Sequence, residues 1–366
     1  MGSNRISLVL SAMPASTPSL ATVAIITNDE GAHPNVYFTA LAESPETGSV
    51  FLADSSGNTV ADARRILGPK LVATYSSATE LFAQHQPTVA LLSLEASLCP
   101  PVIAAALEAG AHIIAEKPGA PTLAGFLPLI QKAARKKLHL MLALTNRLHP
   151  LMQHARELIR ENKIGKIYGV ELHLVADQTR LTAPAYHQSW FAHKARVGGG
   201  HLLWIGIHWV DLAMYLTDSS ITQVAGFTAN VGGQPLDVED SAVLSLKFSN
   251  GALGTMTSGY YTDKGYQSHI KLWGSGGWIE INLHGGETPF RYYSTADEKP
   301  EIKTYVAPAN APTGYTPFIG ACIRAALGRN EPPVSTGDSL RIMQTIFSAY
   351  QATETGQATP VPHGLG

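Results

Sequence analysis

Apolar residues in the first part of the chain fall in short unbroken runs separated by longer stretches with helical spacing. ATVAIIT, GSVFLAD, TVALLSL and AHIIA read as buried strands, KLVATY as a shorter strand and LHLMLALTN as a last one. Between them HPNVYFTALAESP, NTVADARRIL, SATELFAQH, PPVIAAALEAG and TLAGFLPLIQKAARKK place apolar residues three and four apart, as helices do. Pro34 suits a first helical turn and Ser77 suits an N-cap. Strands apolar on both faces, each followed by a helix, predict a parallel sheet covered on both sides. The expectation is a doubly wound α/β domain over residues 21–147, after a mobile lead-in at 1–20.

After Arg147 the pattern changes. HPLMQHARELIRENKIG reads as a helix stopped at Gly165, and KIYGVELHLVADQTR as a long strand with alternating apolar and polar positions. ITQVAGFTANVGG, DSAVLSLKFSNGALGTMTSGYYT and HIKLWGSGGWIEINLHG add further long strands joined by turns such as Ser249-Asn250-Gly251. YTPFIGACIRAALGRN and DSLRIMQTIFSAYQATETG are closing helices, at about 315–356. Residues 148–366 are therefore expected to form an α+β domain with a large open antiparallel sheet.

Composition narrows the function classes. The 26 Lys and Arg against 28 Asp and Glu leave a net charge of −2, with no basic footprint for nucleic acid. Cys99 and Cys322 lie far apart, without the spacing of a metal site or a disulfide scaffold. The lead-in MGSNRISLVLSAMPASTPSL has too short an apolar core for a secretory signal, and no run of 18 apolar residues occurs. A cytoplasmic protein with no membrane partner and no metal is expected.

The chemistry concentrates in Gly198–Leu216, GGGHLLWIGIHWVDLAMYL. At helical spacing His201, Trp204, His208, Asp211 and Tyr215 share one side of an otherwise apolar helix. Such a stripe is either a core histidine with a buried partner or a site, and the helix alone does not decide.

Other segments bear on the choice. AHIIAEKPGAPTLAGF, NRLHP, ENKIGKIYGVELH, the glycine run with His208, VEDSAVLSLKFSNGALGTM and STGDSLRIMQTIFSAYQATETG follow one another in order. By these motifs the chain resembles the Gfo/Idh/MocA family, the relatives of glucose-fructose oxidoreductase and inositol dehydrogenase, from about Val23 to Thr359. The resemblance implies a dinucleotide-binding Rossmann domain, a domain for substrate binding and oligomerisation, and a homo-oligomer, dimer or tetramer. It implies an enzyme that uses NAD to move a hydride at a carbinol carbon of a sugar, sugar derivative or cyclitol. The family's catalytic lysine falls on Lys117 and its helix histidine on His208. Cofactor contacts are expected from Thr27, Gly31, Ala32, His33, Asp54, Ser55, Glu116 and Lys117. A lysine at the C-terminal end of a sheet strand faces the crevice where open α/β sheets bind ligands.

The chain departs from the family pattern at three places. The turn Thr27-Asn28-Asp29-Glu30-Gly31-Ala32 holds one glycine where a G-x-G-x-x-G turn is usual, and it adds two acids beside a pyrophosphate site. Asp54, 23 residues after Gly31, still offers a carboxylate to ribose hydroxyls and favours NAD over NADP. Cys99 stands where many relatives have a histidine. Trp204 stands where an aspartate is usual, four residues before His208, and gives a flat apolar wall instead of a base. Asp211 is then the candidate to orient the imidazole.

The loop DQTRLTAPAYHQSWFAHKARVGGG is expected on the substrate side, with Arg180, Tyr186, His187, Trp190, His193 and Lys194 joining Trp204 and His208. Its cations suit an anionic sugar, or equally a solvated basic loop. Two alternatives stay open. One is a redox-neutral NAD-dependent glycosidase that oxidises, eliminates, hydrates and reduces, with Tyr186, His187 or His193 as the extra acid or base. The other is a non-catalytic ligand-binding relative.

Overall fold

The computed structural model describes residues 19–284 and 288–364, together with the backbone but not the side chain of Arg180. The lead-in at 1–18 lies outside the described residues. Six strands form the first sheet: β1 (Ala21–Thr27), β2 (Thr47–Asp54), β3 (Leu71–Tyr75), β4 (Val89–Ser93), β5 (His112–Ala115) and β6 (Leu140–Leu142). All their pairings are parallel, in the order β3-β2-β1-β4-β5-β6. Helices α1 (Pro34–Glu43), α2 (Val60–Leu67), α3 (Ala78–Gln84), α4 (Cys99–Glu108) and α5 (Leu123–Lys136) cover it. Val23, Ala24, Ile25, Val89, Ala90, Leu91 and Leu92 are completely buried, as strands covered on both faces require. Strand order reverses between β1 and β4, so the loops after them diverge and open a crevice at their C-terminal ends.

The second half begins with α6 (Pro150–Arg160) and the long β7 (Ile167–Asp177). Short helices α7 (Pro184–Gln188) and α8 (Lys194–Val197) lead to α9 (Ile207–Thr217). Strands β8 (Ile221–Ala229), β9 (Ser241–Phe248), β10 (Leu253–Thr262), β11 (Gln267–Gly274), β12 (Gly277–His284), β13 (Phe290–Ser294) and β14 (Lys303–Thr304) follow. The helices α10 (Tyr315–Ala326) and α11 (Thr336–Thr355), with a last strand β15 (Thr359–Pro360), complete the order. The nine strands run β14-β13-β12-β11-β7-β10-β9-β8-β15.

This sheet is mixed where a purely antiparallel one was expected, because β7 and β10 pair in parallel. The chain leaves β7 through a long loop and α9, re-enters as β8 and folds back twice, so β10 arrives beside β7 pointing the same way.

The closing helices do not stay in the second half. α10 packs on α1, and α11 packs on α5, α9 and β8. On α11, Thr336 Oγ1 accepts from the Leu140 N–H at 2.9 Å, while Ser339 Oγ accepts from the Leu142 N–H and donates to the Leu140 carbonyl. Those bonds cover the open edge of β6, whose backbone groups would otherwise lack partners.

Candidate active site

Lys117 follows β5 directly, before a cis Lys117–Pro118 bond, and is 4% exposed. Its ammonium donates to the Trp204 carbonyl at 2.7 Å, lies 2.9 Å from the centre of the Trp204 ring and sits 3.7 Å from a Glu116 oxygen. The carbonyl is presented by a π-helical turn over Leu202–Gly206, which interrupts the regular helix expected from His201 onward. Wider turns of this kind loosen the i to i+4 ladder and often occur at functional sites.

His208, on the next turn, is held neutral. Burial first, and then the charges of Lys117 and His33, pull its imidazole down to about 3. Its Nδ1 is buried without a hydrogen-bond partner among the described residues. Asp211 does not orient it, contrary to expectation. Arg147 Nε donates to Asp211 Oδ2 at 2.9 Å and Nη2 donates to Oδ1 at 2.6 Å, so the carboxylate faces the other way. His201 turns to Ser258 Oγ at 2.7 Å and packs edge-on to Tyr260, while Tyr215 receives a hydrogen bond from Gln153 at 2.9 Å. The expected stripe thus divides among four neighbours, and only Trp204 and His208 stay with Lys117.

The start of this helix is anchored by Glu239, which the sequence did not single out. Its carboxylate accepts from the Gly200 N–H at 2.7 Å, the Leu202 N–H at 3.0 Å and the Tyr350 hydroxyl at 2.9 Å. Gly198 has φ 96°, and a Cβ there would strike the Pro121 backbone, so the glycine run lets the helix approach the segment after Lys117.

The turn after β1 is tight for a similar reason. A side chain at Gly31 would collide with the Ser93 carbonyl and the Thr27 hydroxyl, which are themselves bonded at 2.9 Å. The Ala32 carbonyl accepts from Ser93 Oγ at 2.6 Å, and His33, at φ 62°, precedes α1 at its N-cap position without a side-chain cap bond. The two acids do not both crowd this turn. Glu30 pairs with Arg196 at 2.5 Å, Arg196 also pairs with Glu95, and Trp190 Nε1 donates to the Glu30 carbonyl at 3.0 Å. Asp29 is exposed.

Several other candidates are engaged inside the protein. Asp54 Oδ1 accepts from the Ser56 N–H at 2.9 Å and the Ser56 hydroxyl at 2.6 Å; Oδ2 accepts from the Thr59 N–H and hydroxyl, each at 2.8 Å. Burial pushes this carboxyl up, but the four bonds outweigh burial and hold it below the ordinary range. Glu116 faces inward and accepts from the Tyr37 hydroxyl at 2.6 Å, so its expected cofactor contact is replaced by a structural one. Trp190 is corrected likewise: it is 1% exposed and packs on Phe191 and Trp204. Lys194 is exposed and lies 3.4 Å from Glu354. His187 Nε2 meets the Leu181 carbonyl at 2.5 Å and Tyr186 stacks on Phe191, while His193 stands at the N-cap position of α8 with its side chain taking no part in the cap. The Arg180 side chain lies outside the described residues. Burial pushes the Cys99 thiol up to about 12, which fits a packing role.

Comparison with known proteins adds an independent finding. Residues 22–144 match the profile of an oxidoreductase family with an NAD-binding Rossmann fold, and residues 152–280 match the GFO/IDH/MocA C-terminal domain. The chain belongs to the Gfo/Idh/MocA family. A 1,5-anhydro-D-fructose reductase of Ensifer adhaerens is 22% identical over 330 residues, covering 89% of this chain and 91% of that protein. Among solved structures, levoglucosan dehydrogenase in complex with NADH and levoglucosan superposes with a TM-score of 0.82 at 20% identity, covering 94% of this chain and all of that one. The WlbA dehydrogenase of Bordetella pertussis, in complex with NADH and UDP-GlcNAcA, gives a TM-score of 0.78 at 18% identity, covering 94% of this chain and all of that one.

The residues of this Gfo/Idh/MocA chain fit NAD. A cleft of about 240 Å³ lies at the strand ends where the order reverses, lined by Thr27, Asn28, Ser55, Leu94, Leu98 and Val102 among others. Its apolar wall suits a flat base, and the Thr27–Gly31 turn that leads into α1 borders it with backbone N–H groups near a helix start, where a pyrophosphate is held.

Proposed function

We propose that this chain is an NAD-dependent oxidoreductase acting at a carbinol carbon of a sugar, sugar derivative or cyclitol, with Lys117 and His208 as its catalytic residues. The observation that carries this reading is a buried ammonium beside a histidine held neutral. NAD, when bound, supplies the redox step by taking or returning the hydride at that carbon. Thr27, Gly31, Ala32, His33 and Ser55 would hold it, with Asp54 near the ribose.

His208, neutral, can take the proton of a substrate hydroxyl, with Nδ1 buried and Nε2 left for the transfer. Lys117 holds and polarises the same oxygen, and the Trp204 carbonyl and ring fix where that ammonium stands. The Trp204 indole, buried against Trp190 and Phe191, serves to seat the ammonium.

Of the loop cations that suggested an anionic substrate, Arg196 is committed to Glu30 and Glu95 and Lys194 lies near Glu354, which supports a neutral sugar or cyclitol. Of the three groups offered as the extra acid or base of the glycosidase route, His187 and Tyr186 are engaged within the loop, which supports the oxidoreductase reading over it.

The test is turnover of NAD with a panel of neutral sugars and cyclitols. Against the substrate found, His208→Ala is expected to lose about 10²- to 10⁴-fold in turnover with NAD affinity kept. Lys117→Ala is expected to lose turnover and also raise KM, since it holds the oxygen in the ground state. Normal turnover in His208→Ala would sink the reading. Sugar released from a glycoside without net NADH would point to the redox-neutral route.

A further inference from the structure

A cleft of about 480 Å³ opens away from Lys117 and His208, between α6, the end of α9 and the start of α11. Four arginines line it, Arg147, Arg156, Arg160 and Arg341, together with Tyr215 and the acids Asp218, Glu331 and Asp338.

These charges are not equivalent. Arg147 is committed: it binds Asp211 as described and donates to Asp338 at 3.0 Å, and Asp338 also accepts from the Ser335 backbone and hydroxyl that cap α11. What remains is Arg156, Arg160 and Arg341 against Asp218 and Glu331. The Arg156 guanidinium lies 4.1 Å from the centre of the Tyr215 ring and touches Asp218 only at 3.4 Å, and that aspartate side chain is 89% exposed. Arg156 Nε is buried without a hydrogen-bond partner among the described residues. Arg160 lies one helical turn further along α6, exposed on the same side. Arg341 reaches Ser220 and Asp338 only at 3.4 Å.

A buried N–H without an acceptor is costly, and in native proteins it calls for an explanation such as a missing water or ion. Loosely held guanidinium groups on two sides of one cleft keep their donor forks available, and such forks match the oxygens of a phosphate. With Asp211 counted, four arginines face four carboxylates, but the three guanidinium groups outside the Arg147 cluster meet their acids only at long range or in water, and their donor forks suit the several oxygens of a phosphate better than the two of a carboxylate.

We propose that this cleft binds a phosphate group, either as inorganic phosphate or as the monoester of a small metabolite. The site stands independently of the redox reading, since none of its residues touches the crevice.

Calorimetric titration of the whole chain saturated with NAD, which fills the pyrophosphate crevice, tests this with four probes: inorganic phosphate, glucose 6-phosphate, acetate and glucose. One saturable phosphate site per chain is expected, weakened at least tenfold in Arg156→Gln/Arg160→Gln while melting temperature and NAD affinity hold. Tighter binding of glucose 6-phosphate than of phosphate marks an ester as the ligand, and the reverse order marks the free ion. If the double variant does not fold, Arg160→Gln, at an exposed position, reads the same loss at several-fold. Three outcomes overturn the proposal: phosphate affinity unchanged in these variants, acetate binding as well as phosphate or glucose binding that these variants weaken along with it, or no saturation by about 10 mM phosphate.

Discussion

At the scale of single residues, His208 departs furthest from ordinary behaviour. An unperturbed histidine base gives a rate that falls as pH drops through about 6.5. His208 titrates at about 3 in the folded chain, so a profile of kcat/KM against pH is expected to show no acid limb near 6.5. A limb there would assign the base elsewhere. The same shift bears on stability. Between about 3 and 6.5 the unfolded chain holds a proton at this site that the folded chain does not, so the contribution of His208 is complete above 6.5 and is lost as pH falls toward 3. The melting temperature of the wild type should therefore fall more steeply than that of His208→Gln between about pH 7 and about pH 4. The sequence showed Lys117 and His208 through the motifs around them, but it did not show how they are held. The Trp204 carbonyl became available through an irregular turn, and periodicity is blind to a one-residue slip in a helix. Asp211 lay on the expected face, yet its partner Arg147 is 64 residues earlier, a pairing that spacing along one helix cannot reveal.

Among the elements, the turn after β2 and the junction at Arg147 carry specific expectations. Asp54 binds its own turn through four hydrogen bonds, so it shapes the turn after β2 as well as carrying charge. Asp54→Ala is expected to weaken NAD about ten- to a hundredfold, measured by titration. Unchanged affinity would place the ribose contact elsewhere. Arg147 joins the segment after β6 to α9 through Asp211 and to α11 through Asp338. Removing it leaves a buried carboxylate without its partner, and Arg147→Ala should destabilise by about 3–5 kcal/mol in denaturant unfolding. A loss under 1 kcal/mol would mean that Asp211 finds another partner or takes a proton. The long regular elements were legible because their apolar runs and spacing agree with local propensity. The two-residue strands β14 and β15 and the strand β13 were not, since pieces this short are defined by the neighbour they pair with.

For the whole molecule, the nine-stranded sheet keeps α9 and α11 on one face and leaves the other open. Phe227 is 78% exposed and sits opposite Val243, at 52%, while Leu253 and Trp273 flank Gly169 on the same open side. These exposed apolar side chains, with Ser245, Thr255, Glu171 and Lys271 in the row between them, give the mixed surface of an interface, and self-association through it is expected. Light scattering at micromolar concentration should give a dimer or tetramer, and Phe227→Glu should shift it toward the monomer; a wild-type monomer would count against this. The parallel pairing of β7 with β10 also sets a timetable during synthesis. β1 meets its neighbour β2 soon after both emerge, but the 11 residues of β7 wait until Leu253 and then Gln267 bring β10 and β11. For that interval a strand with one apolar face has neither neighbour, and late non-local pairing is slow and prone to wrong partners. The six-stranded sheet can pair while the ribosome is still working, but the edge of β6 waits for α11 and the second sheet is delivered in pieces that close together, so both halves are finished only near the end of synthesis.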